Sequence, residues 1–289
     1  MAIVREFPPP AKAGIYDLEA SYYHSIEAMN KSSLVQFDRS AAHYQAYLKE
    51  GSMVPTRDML IGTAFDLLIF SPERFKTQVI VDSKENKNSK KYKAWRSRQP
   101  VDAVIISEES YDNVRRMRDE MMKKEQIAEL MTEGYGQRSV FWQDPKTNLW
   151  CKARPDWITP QAITVDLKKA RDASYRGFGR QAGNLKYHWQ AAWYLMGLTL
   201  VTGIEHLDFR FVAVEDKPPY ESAVYRCDLD QIKTAQDHME MLLDKFEICL
   251  ELDHWPGYPD ELQDLGIPIW ELNKDRIIVD QGFDDDIPF

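Results

Sequence analysis

The stretch Ala153-Arg-Pro-Asp-Trp-Ile-Thr-Pro-Gln-Ala-Ile-Thr-Val-Asp-Leu-Lys168 decides the reading of this chain. Asp156 lies near the end of one apolar run, Trp150 to Ile158, and Asp166 sits inside another, Ile163 to Leu167. Thr159-Pro160-Gln161 between them carries turn chemistry, so the segment is predicted to be a β-hairpin. Side chains alternate along a strand, which places Asp166 and Lys168 on one face and Leu167 on the other. A hairpin brings Asp156 beside Asp166. Two carboxylates and a lysine on one sheet face suit a hard divalent cation with oxygen ligands, and an amine beside the water it activates.

Other short motifs follow in a fixed order along the chain. They are Met29-Asn-Lys-Ser-Ser-Leu34 with Ser40-Ala-Ala-His-Tyr44, then Gly62-Thr-Ala-Phe-Asp-Leu-Leu68, Ser139-Val-Phe-Trp142, Asp172-Ala-Ser174 and Tyr187-His-Trp-Gln-Ala-Ala192. With Pro155-Asp156 and Asp166-Leu-Lys168, this series resembles the PD-(D/E)xK nucleases. The branch it resembles is the RecE-type exonucleases (exodeoxyribonuclease VIII), with the YqaJ and lambda-type exonucleases more distant. The resemblance implies an α/β restriction-endonuclease-like core, a central mixed β-sheet flanked by helices. It implies Mg²⁺ as cofactor, with Mn²⁺ as a substitute, held by Asp66, Asp156, Asp166 and the carbonyl of Leu167. Relatives of the RecE type carry histidine where Asp66 stands, and other branches carry glutamate. Lys168 would orient or deprotonate the attacking water. Nearby carboxylates raise a lysine's pKa, which favours orientation over base catalysis. Gln190 would support Lys168 or that water, and Tyr187, on the same helix face at i and i+3, is a candidate for DNA or phosphate binding.

Ser32, Ser33, Arg39, Ser139 and Arg154 are candidates for a 5′-phosphate pocket, since hydroxyls, a helix N-terminus and forked guanidinium groups all suit an anion. Helix capping accounts for Ser32 or Ser33 equally well. Gln137 falls near a position where relatives carry glutamate and could bind phosphate or a metal-bound water, with Glu133 as the alternative carboxylate. The six histidines show no repeated ligand spacing, so zinc is not expected.

Composition bounds the rest. The 289 residues are 44% hydrophobic with a net charge of −9, and no run approaches the roughly 18 apolar residues of a membrane span. Three scattered cysteines, Cys151, Cys227 and Cys249, fit a reducing cytoplasm and are too few for an iron–sulfur cluster. An acidic chain is an unusual general nucleic-acid binder, but charge is local. Lys84 to Arg98 is rich in lysine and arginine and, with its interleaved serines and asparagines, reads as a polar loop. Lys168, Lys169, Arg171, Arg176 and Arg180 adjoin the candidate site.

The expected organisation is an N-terminal arm over 1–23, one nuclease domain over 24–252, and an extension over 253–289. Helices are predicted at 24–50, 58–70, 107–131, 174–183, 186–200 and 229–252, and strands at 137–143, 149–157, 162–168, 206–214 and 221–227. The acidic tail 280–289 ends in Asp284, Asp285, Asp286, Ile287, Pro288 and Phe289. It resembles the C-terminal tip of bacterial single-stranded-DNA-binding proteins, a docking peptide whose terminal Phe enters an apolar pocket with a basic rim.

The resemblance implies an exonuclease that digests linear double-stranded DNA 5′→3′ from its ends as a homo-oligomeric ring, and hands a 3′ single strand to an annealing protein. It would work in the cytoplasm of a bacterial host, away from any membrane. A structure-selective endonuclease or a non-catalytic DNA-end-binding module are the alternatives.

Overall fold

A computed structural model describes residues 10, 12–50, 55–82, 89–100 and 102–273. The chain divides into two units, 1–256 and 257–289. The first unit opens with β1 (Gly14–Tyr16), α1 (Ala20–Ser25), α2 (Lys31–Arg39), α3 (Ala41–Glu50), α4 (Arg57–Phe70), α5 (Pro72–Gln78) and β2 (Val79–Asp82). It continues with α6 (Lys90–Arg96), β3 (Val104–Ser107), α7 (Glu108–Met121), α8 (Glu125–Leu130), β4 (Tyr135–Gly136), β5 (Ser139–Gln143) and β6 (Trp150–Ala153). It closes with β7 (Trp157–Ile158), β8 (Ile163–Ala170), α9 (Tyr175–Asn184), α10 (Tyr187–Thr202), β9 (Asp208–Glu215), β10 (Ser222–Arg226) and α11 (Leu229–Leu252). In the second unit, residues 269–273 are helical.

The central sheet has the order β10-β9-β8-β7-β4 and is mixed. β8 and β9 run parallel, joined by the α9–α10 crossover, and the other pairs are antiparallel. A second sheet, β1-β5-β6, is antiparallel, and β2 and β3 pair in parallel. This is the expected α/β architecture with a mixed sheet between helices.

β8 shows how the alternating pattern builds the core. Val165 and Leu167 pack with α4 and α7 residues such as Phe65 and Met117, while Ala170 joins the α10 and α11 core around Trp189, Trp193 and Leu243. Asp166 faces away from Val165 and Leu167 and is nearly inaccessible, 2% exposed. Burying apolar area on both faces is the main favourable contribution, about 25 cal/mol per Å². A carboxylate on such a strand is tolerated only with partners.

Several boundaries differ from the sequence reading. The run 150–158 is two strands: β6 pairs with β5, and β7 pairs with β8 in the other sheet. Pro155 lies at the break, where its missing N–H and its restriction of Arg154 end the ladder. The predicted helix 24–50 is interrupted over 26–30, where Met29 bridges Cys151, and again at Ser40, whose backbone is extended, and the helix at 107–131 is broken after Met121. Residues 14–16, read as part of an arm, add β1 to the edge of β5. Lys90–Arg96, read as loop, is helical with Ser89 accepting from Tyr92 N–H as its cap.

Candidate active site

The site begins at the β7–β8 hairpin. Trp157 pairs with Val165 and Ile158 with Thr164, so the register, continued one step, sets Asp156 opposite Asp166. Leu167 N–H donates to Asp156 Oδ2 at 3.0 Å, and Gln137 N–H donates to Asp156 O at 2.8 Å. Gln137 does this from a left-handed backbone, φ 48°. Its role seen here is backbone support of Asp156. Glu133 lies elsewhere, lining a cavity of about 260 Å³ with Gln126, Glu129 and Arg210, which none of the three aspartates lines.

Asp166 receives two partners. Gln190 Nε2 donates to its Oδ1, and Lys168 Nζ forms an ion pair with its Oδ2. Beyond that ion pair, Oδ2 is buried with no hydrogen-bond partner among the described residues. Lys168 Nζ also sits 5.0 Å from the centre of the Tyr187 ring. Burial pulls the Lys168 pKa down, but Asp166 and Asp156 reverse this and hold it above the usual lysine range. In this state Lys168 keeps its proton.

Asp66, on α4, completes the acidic group. Burial first, then Asp156, drives its pKa well above the ordinary carboxylate value, with Lys168 opposing. Burial and then Asp166 raise Asp156 to about 7, against the pull of Lys168 and the Leu167 N–H. Desolvated carboxylates that repel one another gain from a cation between them.

The chemistry of the donor set therefore fits a hard divalent ion: Asp66, Asp156, Asp166 and the Leu167 carbonyl are all oxygen donors, and Asp166 Oδ2 has acceptor capacity unused. The side chains are not closed into a cage, since among the described residues no three His, Cys, Asp or Glu side chains stand at ligating geometry. Asp166 is turned toward Lys168 and Gln190 instead.

α10 delivers Tyr187 and Gln190. Its entry residue, Lys186, is left-handed with φ 51° and is held by an ion pair to Asp38 at 2.5 Å and by the Trp189 ring at 4.0 Å. Trp193 Nε1 donates to Lys152 O at 2.9 Å, which ties the same helix to β6. Three residues that the sequence reading passed over belong to this group. Tyr194 hydrogen-bonds to Gln190, and burial raises its pKa well above the usual phenol value. Its i+4 spacing from Gln190 is the signal that could have found it. Gln181 Nε2 donates to Tyr187 OH at 3.0 Å, from α9. Lys31 donates to Leu185 O at 2.7 Å, and burial, then Lys168, push its pKa down to about 8.

The candidate phosphate pocket does not assemble as one set. Ser139 and Arg154 do meet, Arg154 Nη1 donating to Ser139 Oγ at 2.6 Å. The same nitrogen donates to Leu18 O at 2.9 Å, and the guanidinium lies over Tyr23, so this pair is used in holding the N-terminal segment. Ser139 is fully buried. Asn30, not a serine, caps α2 by accepting from Ser33 N–H, and Ser33 is buried. Arg39 is exposed at the far end of that helix, about 10 Å along its axis from Ser32. The tail residues Asp284 to Phe289 lie outside the described residues.

Comparison with known proteins gives a consistent fold. Residues 30–265 match the family described as "PDDEXK-like domain of unknown function (DUF3799)". A crystal structure described as a "putative exonuclease" from Eubacterium rectale superposes with a TM-score of 0.61 at 15% identity, covering 89% of this chain and 98% of that one. The crystal structure of SSO0001 aligns with a TM-score of only 0.28 at 12% identity, covering 73% of this chain and 98% of that one, too low to indicate a shared fold. No curated protein matches significantly. Among the described residues no helix is long and apolar enough to cross a membrane.

Proposed function

Because the chain belongs to the PDDEXK-like family DUF3799, we propose that it is a Mg²⁺-dependent deoxyribonuclease that digests linear duplex DNA from its ends. The reading extends to 5′→3′ polarity, leaving a 3′ single strand for recombination by strand annealing. The observation that carries it is the convergence of Asp156, Asp166 and Lys168 on one hairpin face, with Asp66 near enough to feel the charges of all three.

Asp66, Asp156, Asp166 and the Leu167 carbonyl would hold Mg²⁺, or Mn²⁺ in its place. A bound divalent ion supplies Lewis acidity to a phosphodiester and lowers the pKa of a water. The chain's own residues do the positioning. Lys168, kept protonated by its two carboxylate neighbours, presents a cation to the phosphate and a donor to the attacking oxygen. Gln190 fixes the Asp166 carboxylate, and Tyr194 fixes Gln190. Tyr187 shields the lysine from solvent on one side, itself held by Gln181.

The remaining features of the reading are a ring-shaped homo-oligomer in a bacterial cytoplasm and a docking role for the tail, Phe289 acting as anchor and Asp284, Asp285 and Asp286 steering toward a basic pocket on an annealing protein. The test of the central claim incubates the protein with linear and covalently closed duplex, with and without Mg²⁺, beside an Asp166→Asn variant. Consumption of the linear form alone, with Mg²⁺ and wild-type protein only, is the expected result. Rapid cutting of closed circles indicates an endonuclease instead, and binding without cleavage indicates an end-binding module.

A further inference from the structure

α9 carries a surface that the reaction just described does not use. Its inner side is committed: Phe178 is buried, stacked on Tyr225 at 5.2 Å and lying 5.8 Å from Tyr187. Gln181 reaches Tyr187 OH and Lys169 O. The outer side is open. Tyr175 is 85% exposed, an unusual position for a large aromatic ring. Arg171, Arg176 and Arg180 are exposed around it. Arg171 and Arg176 have no ion-pair partner among the described residues, in a chain whose net charge is −9. Asp172 is the carboxylate beside them. It accepts from Ser174 N–H at 2.9 Å and feels the charge of Arg180. Gly179 and Gly183 leave bare backbone on this side, since a Cβ at either would meet nothing within 4 Å.

An exposed ring at the start of α9, with two exposed arginines four residues before it and next to it in the chain and without ion-pair partners among the described residues, matches what a nucleobase and its flanking phosphates need. Base–aromatic stacking tolerates any base, and arginines follow the backbone. It fits a single strand better than a duplex, whose base pairs present no open π-face except at the two ends. The surface is also linked to the catalytic lysine. Tyr175 lies 6.5 Å from Tyr225, Tyr225 stacks on Phe178, Phe178 adjoins Tyr187, and Tyr187 lies under Lys168. We propose that the outer face of α9 binds single-stranded DNA, with Tyr175 stacking a base and Arg171 and Arg176 holding adjacent phosphates. The choice of DNA rests on the nuclease reading above, and the platform would hold the strand that the reaction frees.

The test measures binding of a labelled oligothymidylate of about 12 nucleotides to the full chain by fluorescence anisotropy, in chelator so that nothing is cut. Tyr175→Ala should weaken binding about ten-fold, and Tyr175→Phe should retain it. The double change Arg171→Ala with Arg176→Ala should lower the slope of log affinity against log salt by about 1.4, the release expected for two single-strand phosphate contacts. Affinity for a blunt duplex of the same length should not depend on Tyr175. Unchanged oligothymidylate binding by Tyr175→Ala overturns the proposal, as does an equal Tyr175 effect on the duplex. The two readings fail separately. Wild-type protein that binds through Tyr175 but cuts no DNA ends the nuclease reading and leaves the platform. Protein that cuts linear duplex while the α9 variants bind normally ends the platform alone.

Discussion

Lys152→Met tests how the first unit is held together beneath the site. The Lys152 side chain is buried, with only 4% of the residue exposed. Its Nζ donates to Tyr23 O at 2.9 Å and to Ile26 O at 2.6 Å, with His24 O at 3.5 Å, and it lies 4.8 Å from the Tyr23 ring. These carbonyls end α1, where intrahelical donors run out. Methionine keeps the stem and removes the donors. Each carbonyl left unmatched costs about 1–3 kcal/mol, and release of a buried charge offsets part of this, so a net loss of about 2 kcal/mol is expected at neutral pH.

The pH dependence is the sharper readout. Burial lowers the Lys152 pKa from 10.5 to about 8. The unfolded lysine keeps its proton up to its ordinary value, whereas the folded one loses it near 8. Between those values the unfolded state binds more protons, so this group makes stability rise with pH. The gap between wild type and Lys152→Met should therefore widen by roughly 2 kcal/mol between about pH 8 and pH 9.5. Other groups that titrate in this range, Lys31 included, are common to both proteins and cancel in the difference. Urea unfolding followed by tryptophan fluorescence at the two pH values gives the result. Parallel pH profiles, or equal stability at both, would refute the account of Lys152 as a buried, charge-bearing clasp.

Four further outcomes are expected. Gln190→Ala should lower activity or Mg²⁺ affinity by about 10–100-fold, as loss of a group that orients a ligand does; a Mg²⁺ titration of rate indistinguishable from wild type would remove Gln190 from the site. Asp66→Ala should shift the Mg²⁺ requirement upward as well as lower turnover, whereas Asp66→His should retain part of the activity; an unshifted titration marks Asp66 as structural. Gly197→Ala should destabilise by about 1–3 kcal/mol, because the new methyl drives into the buried Trp142 ring, and a denaturation midpoint at or above wild type would contradict that packing. Deleting Ile287, Pro288 and Phe289 should abolish capture of an annealing protein in calorimetry and leave digestion of naked linear DNA unchanged; equal heats from both chains would end the docking role.

What a local pattern controls could be read from the chain directly. The alternation of Ile163 to Leu167 is a period-two signal, and it places Asp166 and Lys168 together, opposite Leu167. The i, i+3 spacing likewise put Tyr187 and Gln190 on one face of α10. The sequence by itself also supplied the order of elements from β8 to α11, since each is a continuous run of one character, periodic or apolar throughout, closed by a turn or cap. Tertiary structure alone decided the rest, because it depends on what each polar group meets far along the chain. Arg154 looked like a phosphate ligand, and only the fold shows its guanidinium bonded to Leu18 O, 136 residues away. Nothing local to Lys152 marks its partners, and only the fold aims it at the end of α1. Lys31 and Gln181 acquire their relation to Lys168 and Tyr187 when α2, α9 and α10 pack together. A strand's period follows from backbone geometry and survives in one dimension. The partner of a buried charge is selected by closure of the whole fold, which no window of sequence contains.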